Sequence, residues 1–209
     1  MIWYLLTLGG YLLYKFLLMR AIHLGMFSEL SSVWFYIMDM VLSLIFGLFL
    51  IYFFRPKINF SLKNRKYILV LVLFFIALLF RFFENPTGNI ELVKNLRKFA
   101  FFSTEYHSAY DLTFVFITLV IVGPFVEELF YRKLLLNSLS NKILAIIISS
   151  ILFALLHLAN KFGINIFIST FLFGVISCLI YYKSGFFYSF IFHASYNFLF
   201  FIIAYLISQ

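Results

Sequence analysis

Long apolar runs separated by short polar connections occupy the chain from end to end. Seven fall near residues 2–19, 33–54, 67–83, 112–139, 143–162, 164–182 and 186–206. They approach the roughly 20 residues that carry an α-helix across a bilayer core. Thirty-two Phe alongside three Pro and nine Gly favour helices over the alternating strands of an outer-membrane barrel. The pattern predicts an all-α, polytopic membrane protein of about seven transmembrane helices, the last four forming a core. Residues 84–111 are the longest polar interval. There Leu92, Val93, Leu96 and Phe99 recur among Glu91, Lys94, Arg97 and Lys98 at helical spacing, which fits a helix lying in the membrane interface or a solvated connector.

Composition strengthens this picture. Residues are 65% hydrophobic and 11% charged, against roughly a quarter charged in soluble domains. The net charge of +8 does not point to nucleic acid, because Arg55, Lys57, Lys63, Arg65 and Lys66 crowd one connection. That is the mark of a cytoplasmic loop under the positive-inside rule. Seven spans then leave the N-terminus inside and the C-terminus outside, with Lys133, Lys142 and Lys183 also inside. Lys15, Arg20, Lys94, Arg97, Lys98 and Lys161 run against that scheme. The single Cys178 excludes an internal disulfide and a Cys-rich metal site. The first apolar run begins at Ile2 with no basic n-region, as expected of a retained helix rather than a cleaved signal.

The informative residues are polar ones at membrane depth. Glu127, Glu128 and Arg132 fall on the fourth span, His157 and Asn160 on the fifth, and His193 and Asn197 on the seventh. Asp39, on the second, reads as a structural partner or helix-terminal carboxylate. An acidic or basic side chain at a helix centre costs about 2.5 to 3.5 kcal/mol on insertion, so such groups need pairing, water or a task. Adjacent helix residues point about 100° apart, so Glu127 and Glu128 face different directions. Arg132, four residues after Glu128, shares its face and is within ion-pair reach. Glu127 is then freer to face a cavity between helices.

His193 and Asn197 share a face at i, i+4, and His157 comes from another helix. A carboxylate with a histidine can activate water, and a second histidine with an amide can stabilise an oxyanion. Taken singly, each group also reads as interhelical glue. Together they are the components of a hydrolase, expected to line one polar cavity among spans four to seven.

The segments "EELFYR" (127–132), "FALLHLAN" (153–160) and "FHASYN" (192–197) resemble three motifs of the CPBP family of intramembrane proteases. This is the CAAX-protease and bacteriocin-processing family, also called Abi. "FLFGVISCLIYYKSG" (171–185) looks like the family's penultimate helix and turn. The resemblance covers roughly residues 112–205. It divides the chain into an N-terminal part, 1–111, without a recognised motif, and a protease-like core, 112–209. By resemblance, Glu127 would be the base that activates water, assisted by His157. Glu128 and Arg132 would be the adjoining motif pair, and His193 and Asn197 would support the oxyanion. Tyr131 and Lys133 depart from the residues common beside the arginine and bear on packing and substrate preference.

Other intramembrane protease classes lack their signatures here: there is no His-Glu-x-x-His, no rhomboid Gly-x-Ser and no Gly-x-Gly-Asp. Glu127, His157 and His193 are conceivable zinc ligands, yet no two lie at an in-helix zinc spacing. Hydrolysis without a cofactor is therefore expected. The implied partners are the lipid bilayer and a membrane-associated peptide or protein substrate, processed at a CAAX-type end or a bacteriocin or pheromone leader, or handled in self-immunity. The alternative is a non-catalytic scaffold or immunity protein that binds a peptide or membrane partner. A proton-relay transporter fits less well, since no inverted repeat is visible. Richness in Phe, Ile, Leu, Lys and Asn suits a bacterial cell membrane.

Overall fold

The computed structural model describes residues 32–57, 109–158 and 164–208, together with positions 9, 10, 13, 14 and 72. Among them there is no strand, and the chain is an all-α membrane protein. Helix α1 spans Ser32–Phe54. Helix α2 runs through residues 109–138 in five consecutive pieces: Ala109–Phe116, Ile117–Val122, Gly123–Glu128, Leu129–Leu135 and Leu136–Ser138. Helices α3, α4 and α5 follow at Lys142–Leu158, Ile164–Ser184 and Phe186–Ser208.

Among the described residues, Ile37–Phe54, Leu112–Ser138 and Phe167–Ser184 are long and apolar enough to cross a membrane, and Lys142–His157 and Phe186–Ile202 are shorter apolar helices. Five of the seven expected runs thus fall on described helices. Those at 2–19 and 67–83, the tail of the fifth with Asn160, and the 84–111 interval lie outside the described residues, apart from a few isolated positions.

The helix ends follow from local chemistry. Arg55 takes a left-handed conformation (φ 42°) and closes α1 with its N–H on Ile51 O at 2.9 Å. Pro56 then bars continuation. Asn141 caps α3, its Oδ1 accepting from the backbone of Ile143 and Leu144 at 3.0 and 3.1 Å, a role suited to a short amide side chain. Gly185 joins α4 to α5 alone at φ 95°, where a side chain would be strained.

The core is aromatic. Leu129, Phe130 and Tyr131 of α2, Phe153 of α3, Phe173 of α4 and Phe192 of α5 form one buried cluster, joined by Leu50 of α1. Helices α3 and α4 meet at small residues: a Cβ on Gly174 would lie 3.0 Å from Ser150 Cα. Close backbone approach of this kind is how helices associate in lipid, where apolar surface gains little by pairing. Tyr14 donates to Asp39 Oδ1 at 3.0 Å, which gives the carboxylate of the second run a partner.

One end of the bundle gathers charge. Phe54 and Pro56 line an open cleft with Lys133, Asn137 and Ser138. Asn137 Nδ2 donates to Tyr181 Oη at 2.8 Å, and Lys142 Nζ lies 5.8 Å over the Tyr182 ring. Arg55, Lys57, Lys133, Lys142 and Lys183 therefore share that end. If it is the cytoplasmic one, a cysteine placed at Lys57 reacts with an impermeant thiol reagent only in inverted vesicles. Labelling from the outside would reverse the orientation.

Candidate active site

The site is organised around a carboxylate removed from solvent. Glu128 and Arg132 are fully buried, 3.4 Å apart (Oε2 to Nε) one turn along α2. Ser177 of α4 stands between them: Arg132 Nε–H donates to its Oγ at 3.2 Å, and its hydroxyl donates to Glu128 Oε2 at 2.9 Å. The other carboxylate oxygen, Oε1, accepts from His193 Nδ1 of α5 at 3.0 Å. Both oxygens are thus satisfied by three helices, as a buried charge requires.

Arg132 Nη1 and Nη2 have no hydrogen-bond partner among the described residues. The guanidinium instead lies 4.9 Å over the Phe153 ring and 5.7 Å over Tyr131, where the negative ring faces attract it.

The bond to Glu128 sets what His193 can do. A carboxylate can only accept, so the proton sits on Nδ1 and Nε2 is left for chemistry. Nε2 lies 3.8 Å from Glu127 Oε2, with the Glu127 side chain 13% exposed and that of His193 3%. A neutral imidazole and an ionised carboxylate would face each other lone pair to lone pair, so one proton belongs to the pair.

His157 follows the same logic: its Nδ1 lies 2.9 Å from Phe153 O, an acceptor, so Nε2 carries the lone pair of the neutral ring. The Phe153 ring packs against both histidines, with centroids 4.4 Å from His157 and 5.6 Å from His193. Among the described residues, His157 makes no direct bond to Glu127.

Helix α2 departs from α geometry on both sides of the glutamates. Ile117–Val122 and Leu129–Leu135 are π-helical, a form that is rare and recurs at functional sites. Gly123 donates its N–H to Thr118 O, five residues back, and a Cβ there would meet that oxygen at 3.0 Å. Asn197 is not paired with His193 across a shared partner. Its Nδ2 donates to Leu119 O of the first π segment at 2.8 Å. The other amide hydrogen and Oδ1 are unengaged among the described residues.

The structure thus brings together Glu127, Glu128, Arg132 and His193 by direct contact, adds His157 through Phe153, and ties Asn197 to α2. Sequence reasoning missed Ser177 and the Leu119 carbonyl. A lone small hydroxyl inside "FLFGVISCLIYYKSG" was the available signal for the first; a backbone acceptor leaves none. No three His, Cys, Asp or Glu side chains among the described residues gather closely enough to hold a metal ion.

Comparison with known proteins agrees with this architecture. Residues 109–199, which hold all six residues, match the Rce1-like family of type II CAAX prenyl endopeptidases. Through these residues the chain belongs to that family, consistent with a CPBP-type intramembrane protease. At family level it is an intramembrane endopeptidase and an integral membrane protein.

A Mycoplasma capricolum subsp. capricolum protein described as uncharacterized is 40% identical over 58 residues, covering 28% of this chain and 17% of that protein. The aligned stretch is therefore well under two thirds of that relative's length. No solved structure matches.

Proposed function

We propose that the chain hydrolyses a peptide bond in a membrane-associated peptide or protein, using water activated by Glu127 and no metal. The observation that carries this reading is a histidine clamped by one glutamate and presented to another: His193 Nδ1 on Glu128 at 3.0 Å, Nε2 3.8 Å from Glu127. It repeats the logic of a buried carboxylate that fixes an imidazole's tautomer and aim.

With the proton of the pair on His193, Glu127 is a free base and Nε2–H a donor. Water gives a proton to Glu127 as its oxygen attacks the carbonyl carbon. His157 Nε2, an acceptor, orients the water through its second hydrogen. Charge developing on the carbonyl oxygen is met by His193 Nε2–H and the unengaged amide hydrogen of Asn197. Glu127 then returns its proton to the leaving nitrogen as the C–N bond breaks.

The donor geometry supports the metal-free form, since Glu128 and the Phe153 carbonyl already occupy one nitrogen of each histidine and no three ligand groups converge among the described residues. The composition and the cationic end support placement in a bacterial membrane with that end cytoplasmic.

The test is cleavage by the purified protein in liposomes, with a prenylated C-terminal peptide and a leader peptide as substrates and mass spectrometry as readout. One of them is cut at a single bond, and cutting persists after exhaustive chelation. Activity lost to chelator and restored by zinc would overturn the metal-free mechanism.

A further inference from the structure

The hydrogen bond from Asn197 to Leu119 O joins residues 78 apart in sequence, and its cause lies on α2 rather than on the helix of the donor. In the π register of Ile117–Val122, Gly123 N–H reaches Thr118 O. The next donor in that register, facing Leu119 O, would be residue 124. That residue is Pro124, buried at the start of the following α segment, and proline has no N–H. In lipid a carbonyl freed in this way must find a partner on a neighbouring helix.

We infer that Pro124 is a positioning residue: by withholding its N–H it reserves the Leu119 carbonyl for Asn197 and so aims the second amide hydrogen of Asn197. The acceptor being a carbonyl, Nδ2 and not Oδ1 must face it, which settles the orientation of the amide. One hydrogen bonds Leu119 O, and the other is held on the side where charge develops. The three residues before Glu127 therefore do more than lead into the glutamates, since their backbone holds the residue expected to meet the oxyanion. The catalytic part of this inference rests on the protease reading; the coupling of Pro124 to Asn197 does not.

Four proteins test it: wild type, Pro124→Ala, Asn197→Ala and the double variant, each reconstituted and followed by thermal melting and by kcat and KM. The Pro124→Ala substitution offers an N–H to Leu119 O and displaces Asn197. By itself it should lower kcat toward the roughly 100-fold loss of a missing oxyanion donor, with KM unchanged. Asn197→Ala alone leaves Leu119 O without its partner and lowers the melting temperature. The sign then reverses. In the Asn197→Ala background, Pro124→Ala raises the melting temperature, because the new N–H satisfies the carbonyl, and kcat falls no further.

If the two effects on melting add, or if Pro124→Ala keeps wild-type kcat, the inference is overturned. A Pro124→Ala protein that fails to fold, and that Asn197→Ala does not rescue, overturns it equally. If the wild type cleaves nothing, the protease reading falls while the melting cycle still decides the coupling.

Discussion

Glu127→Gln is expected to lower turnover by about 100- to 10,000-fold, the usual contribution of a positioned general base, while the protein inserts, folds and binds substrate as before. The reason is what the substitution leaves alone. Glutamine keeps the size of the side chain, and Glu127 is partly exposed with a single charged neighbour, His193 Nε2 at 3.8 Å. No buried ion pair is broken, so the melting temperature should stay near that of the wild type. What disappears is the group that takes the proton from water and returns it to the leaving nitrogen. The loss should fall on kcat and leave KM unchanged. The same variant separates an enzyme from a scaffold. A binding protein does not need this proton acceptor. If Glu127→Gln restores a deletion strain as well as the wild type does, the protease reading is wrong for this chain.

Glu128→Gln should have the larger effect on stability, about 3 to 5 kcal/mol, the cost of removing one member of a buried ion pair. The two glutamates are adjacent in sequence and opposite in role. Glu128 is fully buried and holds Arg132, Ser177 and His193 at once. An amide in its place leaves the guanidinium without its counter-charge, with two aromatic rings as its remaining neighbours. Activity should fall as well, because His193 loses the anion that fixes its tautomer. Adding Arg132→Met should recover part of the lost stability by removing the uncompensated cation, a non-additivity that a double-mutant cycle measures. Chemical denaturation in detergent is the readout. A Glu128→Gln protein as stable as the wild type would mean that the pair contributes nothing to holding α2 and α4.

The two variants also mark how far the residues alone lead. Glu128 and Arg132 sit one turn apart on one helix, so their meeting follows from 3.6 residues per turn and is legible in "EELFYR". The divergence of Glu127 from Glu128 follows from the same 100° step. The partners of His193 and Asn197 do not follow from it. Their i, i+4 spacing puts them on one face of α5, from which a common target was expected. The structure gives them separate partners, Glu128 for one and the Leu119 carbonyl for the other. A shared face says nothing of the depth at which it meets another helix.

By itself, then, the sequence determined that this is a helical membrane protein, that its polar chemistry lies in the last four helices, and which side chains are available there. Apolar run length, insertion cost and helical period are local properties, readable residue by residue. Only the tertiary structure decided which glutamate holds His193, that Ser177 bridges Glu128 and Arg132, and that Asn197 answers to a backbone oxygen. Those choices depend on the rotation and depth of each helix against its neighbours. In lipid the helix faces are almost equally apolar, so close contacts such as Gly174 on Ser150, and the π turns flanking the glutamates, set that arrangement. A carbonyl released by a proline leaves no side-chain signature, and it becomes visible only when the helix that supplies its donor is in place.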